Sequence, residues 1–243
     1  MSSFWTIVNK VIKDSDLIIE VLDARLFQET RNLEIEQKII RAGKPILFVL
    51  NKCDLVERDH LDQIKKELYP CVFISSTQKL GTTLLKKKIL ELSRGEAVVV
   101  GIVGYPNVGK SSLINALSGR GAARTSSESG FTRALQKIRV DNKIVVLDTP
   151  GVFPWKEKDE NKHTQSGALS YSRVKDAISA ALQLFQEKRE LLQAHYDLTS
   201  SDPDDLLEEL AKKWKKLAKG GKPDLEATAR IFLKEWQTGK IRF

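Results

Sequence analysis

One run of eight residues combines glycines, a lysine and a serine at a spacing that suits phosphate chemistry. The run is Gly104-Tyr105-Pro106-Asn107-Val108-Gly109-Lys110-Ser111. Glycines let backbone N–H groups curl around a phosphate, a lysine reaches its β and γ oxygens, and a serine hydroxyl can ligate Mg²⁺. An ordinary glycine turn is the alternative, but a strand before the run and a helix after it favour the phosphate loop. The predicted nucleotide contacts in this loop are Asn107, Val108, Gly109, Lys110, Ser111 and Ser112.

A second run, Asp148-Thr149-Pro150-Gly151, places a carboxylate directly after an apolar segment. In phosphate-loop enzymes a carboxylate at this place helps to hold Mg²⁺, so we predict Ser111 and Asp148 as metal ligands. Gly151 has no Cβ and can bring its N–H against a γ-phosphate. We therefore predict catalytic roles for Lys110 and Gly151. By itself such a turn is common, and its position about forty residues after the phosphate loop is what favours the functional interpretation.

A third run, Asn51-Lys52-Cys53-Asp54, ends another apolar segment. The Asp54 carboxylate can accept hydrogen bonds from the two neighbouring donors of guanine, N1 and N2, which adenine lacks. A site that leaves buried polar groups unpaired with the wrong ligand can discriminate by a factor of about 10⁴ or more. We expect Asn51 to tie this loop to the phosphate loop and the Lys52 stem to cover the base. The predicted base contacts are Asn51, Lys52, Cys53, Asp54, Ser75 and Ser76, and the segment Ser75-Ser76-Thr77 is expected to offer the base O6 a backbone N–H.

The elements that must position these residues read as alternating strands and helices. Short β-branched runs predict strands over residues 17–22, 46–50, 71–74, 97–103, 135–140 and 143–147. Asp141-Asn142 joins the last two as a tight hairpin. Strands that alternate with helices indicate an α/β domain with a mostly parallel sheet.

No strand pattern follows Asp148, and apolar residues recur at helical spacing instead. We predict three helices: one over residues 174–185, one from Ser201-Asp202-Pro203 to Gly220-Gly221, and one from Pro223-Asp224 to Gly239. The predicted division is a nucleotide-binding domain over residues 1–165 and a small helical domain over residues 166–243.

Composition narrows the class of protein. The 243 residues are 41% hydrophobic and 30% charged, as in ordinary globular domains. The formal net charge is +8, which favours a polyanionic partner. Neither a secretory signal nor a membrane-spanning run is apparent, so we expect a cytoplasmic protein without a membrane partner. The two cysteines, Cys53 and Cys71, suggest reduced core residues rather than a disulfide framework.

These motifs together resemble the signature set of translation-factor-type GTPases, in an unusual order. The base-reading run precedes the phosphate loop, which is the order of a circular permutation. The closest resemblance is to the YlqF/RbgA-like GTPases of ribosome assembly, and it extends along nearly the whole chain. Asp23-Ala24-Arg25, followed by Arg31-Asn32, looks like that family's DAR…RN segment. The stretch from Asp224 to Lys240 looks like its C-terminal helix.

The resemblance implies a circularly permuted phosphate-loop GTPase that hydrolyses GTP with Mg²⁺. Gly130-Phe131-Thr132 is similar to the family's switch motif, which makes Thr132 the implied third Mg²⁺ ligand and a catalytic residue. Phe27 and Ser129 stand where the family usually has proline. The family's histidine-bearing N-terminal segment has no counterpart before Asp23. We expect His60, His163 and His195 to be surface residues.

Val152 follows Gly151, where many GTPases have a glutamine that orients the attacking water. The resemblance extends to GTPases that use a potassium ion held by an asparagine of the phosphate loop, and Asn107 occupies that position. Alternatively, Asn107 stabilises the loop through its own side-chain hydrogen bonds. Both interpretations stay open, and slow hydrolysis by the isolated protein is expected.

Basic residues cluster in the segment 120–139 and near residues 206–219. Lysines and arginines there can neutralise RNA phosphates. A solvated helix face, with Leu207, Leu210, Trp214 and Leu217 turned inward, explains the second cluster equally well. We predict a monomeric switch that binds GTP or GDP and a ribosomal subunit or its RNA; the alternative is a regulator with a protein partner. The predicted RNA contacts are Arg133, Lys212, Lys213, Lys215 and Lys216.

Overall fold

A computed structural model describes residues 3–119, 135–149, 151, 171 and 174–241 of the chain. The chain divides into two compact units, Met1–Glu157 and Lys158–Phe243. This division and the predicted boundary at residue 165 both fall between residues 152 and 170, outside the described residues.

The described residues of the first unit form a six-stranded sheet. Its strands are β1 (Leu17–Asp23), β2 (Ile46–Asn51), β3 (Cys71–Ile74), β4 (Val98–Gly104), β5 (Gln136–Arg139) and β6 (Ile144–Asp148). They lie in the order β3-β2-β1-β4-β6-β5. Only the β5–β6 pair is antiparallel. The predicted α/β class and mostly parallel sheet are therefore confirmed, and each predicted strand lies within about one residue of an observed one.

Strand β1 lies at the centre of the sheet and is buried along its whole length. It pairs in parallel with β2 on one side and with β4 on the other. A strand covered on both faces is mostly apolar, which explains Leu17, Ile18, Ile19, Val21 and Leu22. The buried Glu20 interrupts this run, and its Oε1 accepts from Asn32 N at 2.9 Å. Because the neighbours are parallel, the loops that follow β1, β2 and β4 leave the same edge of the sheet.

Six α-helices in the described residues belong to this unit. They are α1 (Ser3–Asp14), α2 (Phe27–Thr30), α3 (Leu33–Arg41), α4 (Arg58–Glu67), α5 (Thr82–Leu92) and α6 (Lys110–Ser118). Trp5, Val8 and Ile12 of α1 pack with Ile18, Ile35, Ile39 and Val103. A second apolar cluster joins β1 and β2 to α4: Leu22, Ala24, Phe27, Phe48, Leu50, Ile64 and Leu68. These two clusters fix β1 and β2, which carry two of the predicted site segments.

The second unit consists of helices in its described part: α7 (Ala177–Glu187), α8 (Arg189–Tyr196), α9 (Pro203–Lys213) and α10 (Leu225–Thr238). The rings of Phe185 and Phe232 stack at 4.7 Å between α7 and α10. The Tyr196 hydroxyl bonds the Glu235 carboxylate at 3.0 Å. Asp224 caps α10 by accepting from Ala227 N, and Gly239 ends it, as the sequence predicts.

The predicted second helix of this unit is too long, because α9 ends at Lys213. Lys215 adopts a left-handed backbone with φ of 53°, and Lys216 N donates a hydrogen bond to Ala211 O, which ends the helix. Leu217, predicted to face the core, is 55% exposed. The helix α8 was also not predicted. Lysines 215, 216 and 219 therefore lie in the turn after α9 rather than on a helix.

Three other expectations are tested by burial. Cys53 and Cys71 are half-buried rather than core residues, and both are free thiols. His60 is half-buried beside the Phe27 ring, whereas His195 is exposed as predicted. His163 lies outside the described residues. Within the described part of the chain, no helix is both long and apolar enough to cross a membrane.

Candidate functional site

The predicted site segments meet at one edge of the sheet. Asp23 of β1 lies in register with Asn51 of β2, and Val21 with Gly104 of β4. Asp148 ends β6 and lies opposite Ile102 of β4. Because these strands are parallel, the base-reading run, the phosphate-loop run and the Asp148 run emerge side by side. The sheet therefore assembles three motifs that are far apart in the sequence.

The phosphate-loop run links β4 to helix α6 through unusual backbone angles. Gly104 has φ of 144° and Gly109 φ of 96°, which favour glycine, and Asn107 has φ of 60°. Asparagine tolerates this left-handed region better than most residues. Gly109 directly precedes α6, and its carbonyl accepts from Leu113 N at 2.8 Å. The N–H groups of the first turn of α6 thus face the loop, as anion binding requires.

Lys110 folds its side chain back into this loop and is only 7% exposed. Its ammonium donates to Gly104 O at 3.1 Å and to Tyr105 O at 2.6 Å. Burial lowers the pKa of Lys110 to about 8, and the Asp148 charge opposes that shift. In the described structure the hydrogen bonds of this buried ammonium go to neutral carbonyls. An anion bound beside it would stabilise its charge. The loop is therefore poised for an anionic ligand.

Asp148 supplies a buried carboxylate next to this lysine and is 1% exposed. Burial raises its pKa to about 6, while the Lys110 charge, the Thr149 backbone and the Ser111 hydroxyl act in the opposite direction. Its Oδ1 has no hydrogen-bond partner in the described part of the protein. An orphaned carboxylate oxygen beside a serine hydroxyl is a set of hard oxygen donors, which suits Mg²⁺. Ser111 and Asp148 therefore fit the predicted metal.

Gly151 packs directly on the phosphate loop. A Cβ at this position would lie 2.5 Å from Pro106 Cα and 3.0 Å from Lys110 Nζ. The distance to the Pro106 backbone is too short for any residue but glycine unless the loop moves, whereas the Lys110 ammonium would need to shift only slightly. Thr149 supports the approach, since its hydroxyl donates to Ile102 O at 2.7 Å. The backbone of Gly151 is thereby brought to the Lys110 ammonium.

The Asn51 side chain joins three loops and is almost fully buried. Its Nδ2 donates to Val108 O of the phosphate loop at 2.9 Å. Its Oδ1 accepts from Ser76 N at 3.1 Å and from Ser76 Oγ at 2.8 Å. The structure thus contains the link between the base-reading run and the phosphate loop that the sequence assigns to Asn51.

Asp54 and Lys52 occupy the turn that follows β2. Asp54 Oδ2 accepts from Gln78 Nε2 at 3.3 Å, while its buried Oδ1 has no partner among the described residues. Lys52 has a left-handed backbone with φ of 62°, and its Nζ donates to Asp23 Oδ2 at 2.7 Å. The sequence motifs do not predict that Asp23 contacts this turn, although Asp23 is the first residue of the DAR segment.

The serine segment differs from the expectation in one respect. Ser75 N donates to Leu80 O at 3.2 Å, and Ser76 N donates to Asn51 Oδ1. Both predicted donors are therefore used within the protein. Thr77 N is the donor of this segment for which the described residues show no acceptor. The position after Ser76, rather than Ser75 or Ser76, offers a backbone N–H to a base.

Several other predicted residues lie outside the described residues or in the second unit. Thr132, Arg133 and Val152 lie outside the described residues. Lys212 and Lys213 belong to the second unit, on α9, and Lys215 and Lys216 follow it. Lys213 Nζ donates to Tyr196 O at 2.6 Å and also contacts Asp197, so it closes the end of α8. Lys212 pairs with Glu208 at 3.5 Å on the helix surface.

Comparison with known proteins bears on the family. A family model described as RsgA GTPase matches residues 26–156, more than half of the chain. Another, described as 50S ribosome-binding GTPase, matches residues 99–218. The chain belongs to the RsgA GTPase family. The predicted resemblance to circularly permuted GTPases is confirmed, because the base-reading strand β2 precedes the phosphate loop in a GTPase sheet.

Individual relatives agree with this family. An uncharacterized GTP-binding protein of Methanocaldococcus jannaschii is 40% identical over 98% of this chain and 65% of its own length. Nuclear/nucleolar GTPase 2 of Arabidopsis thaliana is 35% identical over 98% of this chain and 44% of its own length. The crystal structure of GNP-bound YlqF from T. maritima superposes with a TM-score of 0.66, covers 97% of this chain and 93% of that chain, and shares 24% identity. The chain spans less than two thirds of the length of the M. jannaschii and A. thaliana relatives.

The close approach of Gly109 to Asn51 predicts that alanine destabilises the protein more at Gly109 than at Gly119. A Cβ at Gly109 would collide with Asn51 Nδ2, whereas a Cβ at Gly119 meets nothing within 4 Å. Both glycines have positive φ, so Gly119→Ala should cost only the backbone strain, about 1 kcal/mol. Gly109→Ala should cost about 1–3 kcal/mol more, because it also breaks the buried bond from Asn51 to Val108. Urea unfolding measures both; equal losses would contradict the role of this contact.

Proposed function

We propose that this chain binds GTP and GDP and hydrolyses GTP to GDP and phosphate as a molecular switch. The observation that carries the proposal is the Asn51 amide, which joins the base-reading turn to the phosphate loop. On either side of it lies a buried carboxylate oxygen without a partner in the described structure, one on Asp54 and one on Asp148. A ligand with donors at one end and phosphates with a metal at the other matches this pair.

Guanine is the base that suits the first carboxylate. The Asp54 carboxylate would accept from N1 and N2 of guanine, and the Thr77 N–H would donate to O6. Adenine would leave both protein groups unpaired, which is costly in a buried site. Asn51 and Cys53 would hold the turn, and the Lys52 stem would cover one face of the base.

The phosphates and Mg²⁺ suit the other end of the site. Backbone N–H groups of residues 107–112 and the Lys110 ammonium would bind the phosphate oxygens. Ser111 and Asp148 would hold Mg²⁺ together with Thr132 of the switch motif. Bound there, Mg²⁺ neutralises charge on the β and γ oxygens. Gly151 would donate its N–H to the γ-phosphate, since its backbone already lies against the phosphate loop.

The partner we propose is a large ribosomal subunit or its RNA, bound during ribosome assembly. Support comes from the family model described as 50S ribosome-binding GTPase and from the chain's net charge of +8. In the first unit, Lys137 and Arg139 are exposed on β5, which lies at the edge of the sheet. Hydrolysis would release the protein from the subunit. The competing proposal is a protein partner, and a monomer acting in the cytoplasm remains our expectation.

Guanine selectivity should depend on Asp54. The wild-type chain should bind ATP more weakly than GTP by a factor of about 10⁴, as in other sites that read a polar edge. Asp54→Asn should shift the preference toward xanthine nucleotides, because the amide can donate to the oxygen that replaces the guanine N2 amine. Titration with fluorescent nucleotides measures both affinities. Similar affinities of the wild type for ATP and GTP would refute the proposed base site.

Potassium dependence separates the two roles of Asn107. If Asn107 helps to hold a potassium ion, GTP turnover should be faster in potassium than in sodium at equal ionic strength, and Asn107→Ala should abolish the difference. The basal rate should be slow, because Val152 cannot hydrogen-bond to water. Phosphate release in the two salts is the measurement. Equal wild-type rates would leave Asn107 as a loop-stabilising residue.

RNA binding by the lysines at the end of α9 should appear in its salt dependence. Lys213 is engaged with α8, so the informative variant changes Lys212, Lys215 and Lys216 to alanine. Each lost phosphate contact should flatten the slope of log affinity against log salt by about 0.7–0.9. The charge-matched control changes Lys65, Lys66 and Lys87, which are exposed on other helices. Equal slopes for wild type and both variants would make these lysines a solvated surface and assign the interaction to the basic segment 120–139 or to a protein contact.

A further inference from the structure

Asp23, the first residue of the DAR segment, is a buried carboxylate that accepts four hydrogen bonds. Its Oδ1 accepts from Arg25 N at 3.1 Å and from Arg25 Nε at 3.0 Å. Its Oδ2 accepts from Arg25 Nη2 at 2.8 Å and from Lys52 Nζ at 2.7 Å. Burial would raise the pKa of Asp23, but the charges of Arg25 and Lys52 hold it well below its usual range. Asp23 is therefore an anion that links two separate segments of the chain.

The position of this anion is itself fixed from several directions. Asp23 ends the central strand β1 and lies directly beside Asn51 of β2. Its backbone N donates to Thr30 Oγ1 at 3.1 Å, and the Thr30 hydroxyl donates to Leu26 O at 2.7 Å. A carboxylate on a buried strand end cannot shift without moving the sheet. Asp23 is consequently a rigid anchor next to the base-reading turn.

Lys52 is the residue that this anchor holds. Its left-handed backbone, with φ of 62°, is unfavourable for a lysine and needs compensation from its surroundings. Its ammonium is bound by Asp23, yet 23% of its side-chain surface is exposed. A side chain anchored at its charged end presents its methylene stem to the outside. The stem thus forms an ordered apolar surface beside Asp54.

Arg25 completes a set of four alternating charges at this turn. Both Arg25 and Lys52 lie near enough to Asp54 to interact with its charge. Asp23 in turn balances both cations. Without Asp23, the Lys52 ammonium would be drawn toward the Asp54 carboxylate, where a ligand donor would otherwise bind. The carboxylate of Asp23 therefore keeps Asp54 available.

We propose that Asp23 is a positioning residue for the guanine site: it stretches the Lys52 stem across the base and keeps the Lys52 ammonium off Asp54. The proposal rests on the proposed guanine-nucleotide function. Asp23 itself does not touch the nucleotide and acts through Lys52. The DAR segment is on this view part of the base-recognition apparatus, although it lies 28 residues before Asn51 in the sequence.

The test is the rate at which a fluorescent GDP analogue dissociates from the full chain. Asp23→Asn removes the charge and keeps the shape, and it should speed dissociation by roughly ten- to hundredfold, the cost of a lost charge-assisted hydrogen bond. Lys52→Met keeps an apolar stem without the anchor and should speed dissociation to a similar extent. In the Lys52→Met background, Asp23→Asn should add less than about twofold. Its effect on stability should persist there, because the charged bonds from Arg25 to Asp23 are weakened in both backgrounds.

The control is Asp141→Asn in the β5–β6 hairpin, where the side chain accepts, among the described residues, from Lys143 N and Ile144 N. This variant should dissociate GDP at the wild-type rate. Wild-type binding of GDP together with an unchanged rate in Asp23→Asn would overturn the role of Asp23 alone. If the two substitutions speed dissociation independently, so that their factors multiply in the double variant, Asp23 does not act through Lys52. That result would also overturn the proposed positioning role. A wild-type chain that binds neither GDP nor GTP would overturn this role together with the proposed function. Should Asp23→Asn fail to fold, an unchanged rate in Lys52→Met would be the contradicting result.

Discussion

The candidate site depends on one buried amide. Asn51 donates to Val108 O and accepts from Ser76 N and Oγ, so one side chain sets the spacing of three loops. An amide suits this place because it carries a donor and an acceptor on one short planar group. Gly109 approaches so closely that any side chain there would collide with the amide. The phosphate loop and the base-reading turn therefore behave as one rigid body at the edge of the sheet.

Around this amide, the site holds charges in a buried environment with fewer partners than they need. Lys110 bonds only backbone carbonyls, and the Asp54 and Asp148 carboxylates each keep an oxygen unmatched within the described residues. Such groups cost stability in the protein alone. A nucleotide with Mg²⁺ offers the opposite charge or hydrogen-bonding group to each of them. The cost is thereby recovered on binding, which is how a preorganised site gains both affinity and selectivity.

The predictions from sequence succeeded where a local pattern decides the structure. The six strands and the capped helix α10 were all predicted. Buried strands give apolar runs in the sequence, and an aspartate such as Asp224 is a common helix cap. The prediction was wrong at the end of α9, which stops at Lys213, six residues before Lys219. Helical periodicity continues through Leu217, but Lys215 turns left-handed and Lys216 closes the helix end. A periodic pattern does not reveal where tertiary packing stops.

By itself, the sequence predicted the chemistry of the site: a phosphate loop, a guanine-reading turn and a metal-binding carboxylate, in a permuted order. Only the tertiary structure decided which groups remain available to a ligand. Ser75 and Ser76 carry backbone donors like any other residue, but folding gives those donors to Leu80 O and Asn51 Oδ1 and leaves Thr77 N. Likewise, the pairing of Asp23 with Lys52 joins residues 29 positions apart through the parallel strands β1 and β2. Motif chemistry is local to a few residues, whereas the availability of a donor or a charge depends on every segment that the fold packs against it.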